Sequence, residues 1–152
     1  MISPEVLRRF QLFAGVSPAA FKQLAMIGEE IEVSEGEWLF HEGDDAEGLY
    51  LIIDGEVDCK LAIGQGSDRY ADVCTLVTGD LMGWSALVAP YKYTLSGVAT
   101  KDTRLVWLDA ERLREMMQQD PGLGFIVMQQ VAAVIAQRLA HLRIRFVSLA
   151  EA

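Results

Sequence analysis

Positive charge is scarce in this sequence. Thirteen lysines and arginines face 22 aspartates and glutamates, a formal net charge of −9, and the pI is about 4.6. A surface of that sign repels nucleic acid and anionic membrane, which argues against a general polyanion binder but leaves room for one local anion site. Cysteine is limited to Cys59 and Cys74. They form neither a CxxC pair nor a disulfide framework, so they read as reduced thiols, small core residues of a cytoplasmic protein. The two histidines, His41 and His141, lie far apart and outside any metal or triad spacing. The acidic turn HEGDDAEG, with Glu42, Asp44 and Asp45, reads as a solvated turn rather than a cation site. Neither a metal centre nor an enzymatic activity is expected. No apolar run reaches the roughly 18 residues of a membrane span; the most apolar stretch, GLGFIVMQQVAAVIA, is interrupted by Gln129 and Gln130. The start, MISPEVLRRFQLF, lacks the basic-then-apolar order of a signal peptide.

What is abundant is hydrophobic residues, 51% of 152, enough for the core of one domain over 1–152. Ser3-Pro4 and Ser17-Pro18 each place a capping hydroxyl before a proline suited to a first helical position, which predicts N-terminal helices over 1–29. From residue 30 the period changes to two, with Ile31 and Val33 alternating with Glu30 and Glu32. LYLII is a continuous apolar run that suits a strand buried on both faces. Asp54-Gly55 is a hairpin signal. Beyond it Val57, Cys59, Leu61 and Ile63 alternate with more polar residues, a half-buried strand, and GQGSD makes the next turn. Short strands between glycine turns predict a small antiparallel barrel or jelly roll over 30–108. Helices return over 109–147, where Asp109 and Asp120-Pro121 supply N-terminal signals.

On the last helix Met128, Ala132, Ile135, Leu139, Leu142 and Phe146 step alternately by four and three. That is a heptad seam, with Met128, Ile135, Leu139, Leu142 and Phe146 as its contacts to a second copy. Val127, Val131 and Val134 lie beside it, so one side of the helix can pack on the barrel and the other on a partner. The expected assembly is a homodimer.

Residues 79–99, GDLMGWSALVAPYKYTLSGVA, hold glycines, a hydroxyl residue and a helix start, but neither arginine nor glutamate. Together with GEWLFHEGDDAEGLYLIIDGEV, the long C-terminal helix and the order of elements, this stretch resembles the cyclic nucleotide-binding domain family over about residues 10–146. The resemblance implies a mainly β jelly-roll barrel with flanking helices and a phosphate-binding cassette at 79–94. It also implies a non-catalytic sensor role in signal transduction. In that family the amides at the start of a short helix hold the cyclic phosphate, an arginine pairs with it, and a glutamate after the cassette glycine holds the ribose. Here Gly83 fits the cassette glycine, and the amides of Trp84, Ser85, Ala86 and Leu87 follow it. The glutamate position falls on Trp84 and the arginine position on Tyr93; Lys92 is the one cation in the cassette.

Gly83 to Leu87, Lys92 and Tyr93 are therefore the candidate ligand residues of a degenerate cassette. Two lost charge-assisted hydrogen bonds remove roughly 3–6 kcal/mol, about two to four decades of affinity. Trp84 either stacks on a flat ligand or fills the space of a ribose. The resemblance implies a cyclic nucleotide such as cAMP as ligand, and the lost side chains weigh against it; no cofactor is expected. A small-molecule sensor acting through its C-terminal helix and a ligand-free dimeric interaction module both fit. Direct DNA binding is not expected: six residues follow Phe146, whereas DNA-binding relatives continue into a winged helix-turn-helix.

Overall fold

The computed structural model describes residues 1–66 and 68–152. The turn expected over GQGSD includes position 67, which lies outside the described residues. The chain opens with α1 (Pro4–Leu7), a 3-10 turn (Gln11–Phe13) and α2 (Pro18–Met26). The Ser17 hydroxyl accepts from the Ala20 amide at 3.2 Å, closing the N-terminus of α2 as the sequence requires.

Among the described residues eight strands follow: β1 (Gly28–Val33), β2 (Trp38–Phe40), β3 (Gly48–Asp54), β4 (Glu56–Ala62), β5 (Tyr70–Val77), β6 (Leu81–Met82), β7 (Ser96–Ala99) and β8 (Thr103–Asp109). They form two four-stranded antiparallel sheets, ordered β1-β8-β3-β6 and β2-β7-β4-β5. This is the jelly-roll architecture that the short glycine-bounded strands predict. β3 explains the LYLII run. Leu49, Leu51 and Ile53 face the helices, while Tyr50 and Ile52 face the opposite sheet, so both faces are buried.

Two sequence expectations fail, one at each end of β4. Asp54-Gly55 does not make a hairpin: β3 and β4 belong to different sheets, and Gly55 turns the chain from one to the other. Its φ of 135° and the Thr103 hydroxyl, 2.3 Å from where a Cβ would sit, leave room for glycine alone. Leu61 and Ile63 do not continue the buried face of Val57 and Cys59; each is 42% exposed. The pairing of β4 with β5 shifts between Cys59 and Lys60. The extra residue there is Val73 of β5, while β4 pairs with β7 without a break, so β4 keeps its alternation and Leu61 lies past the end of the buried cluster that Val57 and Cys59 join.

α3 (Ala110–Gln119) and α4 (Pro121–Glu151) complete the chain. Their caps are Asp109, accepting from the Arg112 amide at 2.9 Å, and Asp120, accepting from the Leu123 amide at 3.2 Å. α4 runs 31 residues, about 46 Å at 1.5 Å per residue, and extends past the expected end at 147. Leu123, Val127 and Val131 bury one stripe of it against the helical side of the barrel. By length and composition α4 is also long and apolar enough to cross a membrane. In this fold it lies along the two edge strands: Arg138 donates to the Leu81 carbonyl of β6, and Arg145 donates to the Val73 carbonyl and, at 3.0 Å, to the Asp72 carbonyl of β5. Those guanidiniums satisfy backbone groups that an edge strand leaves open.

Candidate ligand site

The cassette is built where β6 ends. Gly83 takes a left-handed conformation (φ 81°), which glycine adopts without strain, and a 3-10 turn (Trp84–Leu87) follows. A Cβ at Gly83 would stand 3.2 Å from the Tyr93 ring and 3.4 Å from the Gly48 carbonyl, so the aromatic ring lies directly against the glycine. The turn uses one of its own amides: Ala86 N–H donates to the Gly83 carbonyl at 3.0 Å. Ser85, Ala86 and Leu87 are buried.

Tyr93 points into the barrel. Its ring stacks on Phe40 with centroids 4.0 Å apart, Phe40 in turn packs on Tyr50, and the Tyr93 hydroxyl donates to the Gly48 carbonyl at 2.5 Å. Burial holds the Tyr93 hydroxyl well above the ordinary tyrosine range, so it stays a protonated donor. Lys92 faces the other way. It bridges to Asp45 in backbone pairing, and its Nζ lies 2.6 Å from Asp45 Oδ1. The hydrogen bond from Lys92, and then its charge, hold the Asp45 carboxyl below its usual range. The one cation of the cassette is thus engaged by a carboxylate.

An arginine does reach the cassette, from α3. Arg114 donates to the Ala86 carbonyl at 2.6 Å, and its guanidinium lies 4.1 Å from the Tyr91 ring centroid. It grips the outside of the turn.

A cavity lies against Trp84. A cleft of about 700 Å³ separates α4 from the open edge between β5 and β6. Trp84, Leu95, Cys74 and Leu76 form its barrel wall, and Val134, Ile135, Arg138, Leu139, His141 and Leu142 its helical wall. Trp84 also packs against the core shared with the helices. Of the seven candidate ligand residues, then, Trp84 lines this cleft, while Gly83, Ser85, Ala86, Leu87, Lys92 and Tyr93 do not. The seam residues divide as well. Met128 and Ile135 are partly buried against their own domain, Ile135, Leu139 and Leu142 line the cleft, and Phe146 is 72% exposed.

Arg138 and Cys74, which sequence reasoning did not place at the site, both line this cleft. The signal for Arg138 was its place seven residues after Val131, on the stripe that faces the barrel, where an arginine is out of character. Cys74 holds its thiol below the ordinary range, first through a hydrogen bond with Cys59 and then through the Arg138 guanidinium, against burial that pushes it up. The Arg138 charge therefore acts across the cleft wall.

The model of the family "Cyclic nucleotide-binding domain" matches residues 30–120. The chain is 27% identical over 135 residues to the CRP-like cAMP-activated global transcriptional regulator of Mycobacterium tuberculosis, covering 89% of this chain and 58% of that protein. It is 28% identical over 143 residues to the cyclic AMP receptor protein of Thermus thermophilus, covering 93% and 63%. It thus spans about three fifths of the length of these relatives. Among solved structures, a candidate cyclic nucleotide-binding protein of Geobacter metallireducens GS-15 superposes with a TM-score of 0.82 at 37% identity, over 91% of this chain and 99% of that one. With the two-sheet jelly roll, the glycine-started cassette turn and the helix laid across the barrel edge, these likenesses place the chain in the cyclic nucleotide-binding domain family.

Proposed function

We propose that this chain is a non-catalytic regulatory domain whose small ligand occupies the cleft between the barrel and α4, with α4 carrying the signal. The supporting observation is the shared wall: Trp84 and Cys74 on one side, Arg138 and Leu142 on the other. A ligand seated there touches barrel and helix together. It shifts the helix by the difference in its affinity for two helix positions. The volume, about 700 Å³, lies within the roughly 300–1,000 Å³ of small-molecule sites.

The ligand class we propose is a cyclic nucleotide bound in an altered way. Trp84 offers a flat face for the base, and Arg138 supplies the guanidinium that the cassette lacks. The M. tuberculosis and T. thermophilus relatives are, by their names, cAMP-responsive. Exposed Leu139, Leu142 and Phe146 give α4 an apolar surface for a second copy, and we place the dimer in the cytoplasm.

A second reading is a dimeric interaction module that takes no ligand. Phe40, Tyr50 and Tyr93 fill the barrel beside Gly83, and Lys92 is engaged by Asp45, which favours it. Titration with cAMP and cGMP to millimolar concentration, read by tryptophan fluorescence and melting temperature, separates the two. The sensor reading expects a saturable change that is lost from fluorescence in Trp84→Phe, with Trp38 and Trp107 as internal controls. It expects Arg138→Gln to weaken binding by about 10- to 150-fold. No response in either signal, from a protein that sediments as a dimer, sinks the sensor reading and supports the module.

A further inference from the structure

β4 and β5 set the two cysteines of this chain directly opposite each other, Cys59 facing Cys74 in register. Facing residues of an antiparallel pair have Cα atoms about 4.5–5.5 Å apart. A disulfide spans about 4.4–6.8 Å between Cα atoms, and facing Cβ atoms leave the sheet on the same side, so the register matches the spacing that a disulfide requires.

Their surroundings differ in a useful way. Cys59 is 3% exposed, sealed between the sheets. Cys74 is half-buried and forms part of the cleft wall that Arg138 faces. We infer that Cys74 is a hydroperoxide-reactive thiol and Cys59 its resolving partner, the pair closing to a cross-strand disulfide when a hydroperoxide enters the cleft. This is independent of any ligand the cleft binds.

The ionisation of the two groups fits the division of roles. The Cys59 hydrogen bond and the Arg138 charge favour the Cys74 thiolate, against burial and the carboxylates of Asp58 and Asp80. The hydrogen bond to Cys74, burial and the charges of Cys74 and Asp58 hold Cys59 protonated, with Arg138 opposing. A thiolate is the nucleophile, and partial exposure beside a cation is where reactive thiols occur. In the first step the Cys74 thiolate attacks the terminal oxygen of the hydroperoxide. The O–O bond breaks, an alcohol or water leaves with a proton from solvent, and Cys74 becomes a sulfenic acid. In the second step Cys59 sulfur attacks Cys74 sulfur, and the S–O bond breaks. The departing hydroxide takes the Cys59 proton as water. Two sulfurs give up one electron each, and the two peroxide oxygens gain them.

The test uses the reduced full chain. Wild-type protein is treated with hydrogen peroxide, alkylated and digested without reductant, and the peptides are weighed. The expected product is a Cys59–Cys74 cross-linked peptide pair lacking two hydrogens, restored to free thiols by dithiothreitol. Cys59→Ser should stop at the sulfenic acid, trapped by dimedone on Cys74. Cys74→Ser should slow oxidation at Cys59 by at least about tenfold. Survival of both free thiols in the wild type, a Cys74–Cys74 link between chains as the main product, or equal oxidation of Cys59 with and without Cys74 overturns the inference. The wild-type arm decides it even if a variant folds poorly.

Discussion

Replacing Tyr93 with alanine empties the space between Phe40, Gly48 and the Gly83 turn. The ring is 6% exposed, stacks on Phe40 at 4.0 Å and donates its hydroxyl to the Gly48 carbonyl at 2.5 Å. Truncating a buried aromatic costs about 3–5 kcal/mol. For a chain of this length each kcal/mol moves the melting temperature by about 2–4 °C, so Tyr93→Ala should melt roughly 6–20 °C below wild type. Tyr93→Phe keeps the ring and removes one hydrogen bond, about 1 kcal/mol, or about 2–4 °C. The assay is thermal unfolding followed by circular dichroism on the three proteins together. The ordering wild type, then phenylalanine, then alanine is expected. An alanine variant melting within about 2 °C of wild type refutes the reasoning, because a ring that can be removed freely is not core. It would return Tyr93 to the solvent side of the cassette, where a ligand could use it.

Gly48→Ala puts a Cβ 1.8 Å from Trp107 Nε1. The indole must move, and overpacking of this kind costs about 1–3 kcal/mol; a lower melting temperature with altered Trp107 fluorescence checks it, and a neutral variant contradicts the close approach. Lys92→Met should let the Asp45 carboxyl titrate upward to its ordinary range, seen by NMR across an acid titration. The sign follows from the lowered folded value: the pair's contribution is present above the ordinary aspartate range and fades as pH falls through the depressed one. Charged residues at Leu139 and Leu142, which are 45% and 40% exposed, should give folded monomers in sedimentation, and a persistent dimer would rule out the α4 seam.

Much of the architecture was legible because its causes are local. Ser3, Ser17, Asp109 and Asp120 all accept hydrogen bonds from amides two or three residues on. The positive φ of Gly83 marks the turn expected at the cassette glycine, and LYLII is buried on both faces. The cassette was found for the same reason: Gly83 and the turn after it are fixed by residues adjacent in the chain.

The sequence by itself determined where helices start, where strands alternate and where the cassette lies, since capping, periodicity and glycine conformation act over a few residues. The tertiary structure alone decided that Asp54-Gly55 crosses between sheets, that Leu61 lies outside the core and that Cys59 meets Cys74. It alone decided that Tyr93 fills the barrel while Lys92 turns to Asp45, and that Arg138 reaches Leu81 across 57 positions. Such pairings depend on which sheet edge lies beside which helix, and no local preference of the chain encodes that.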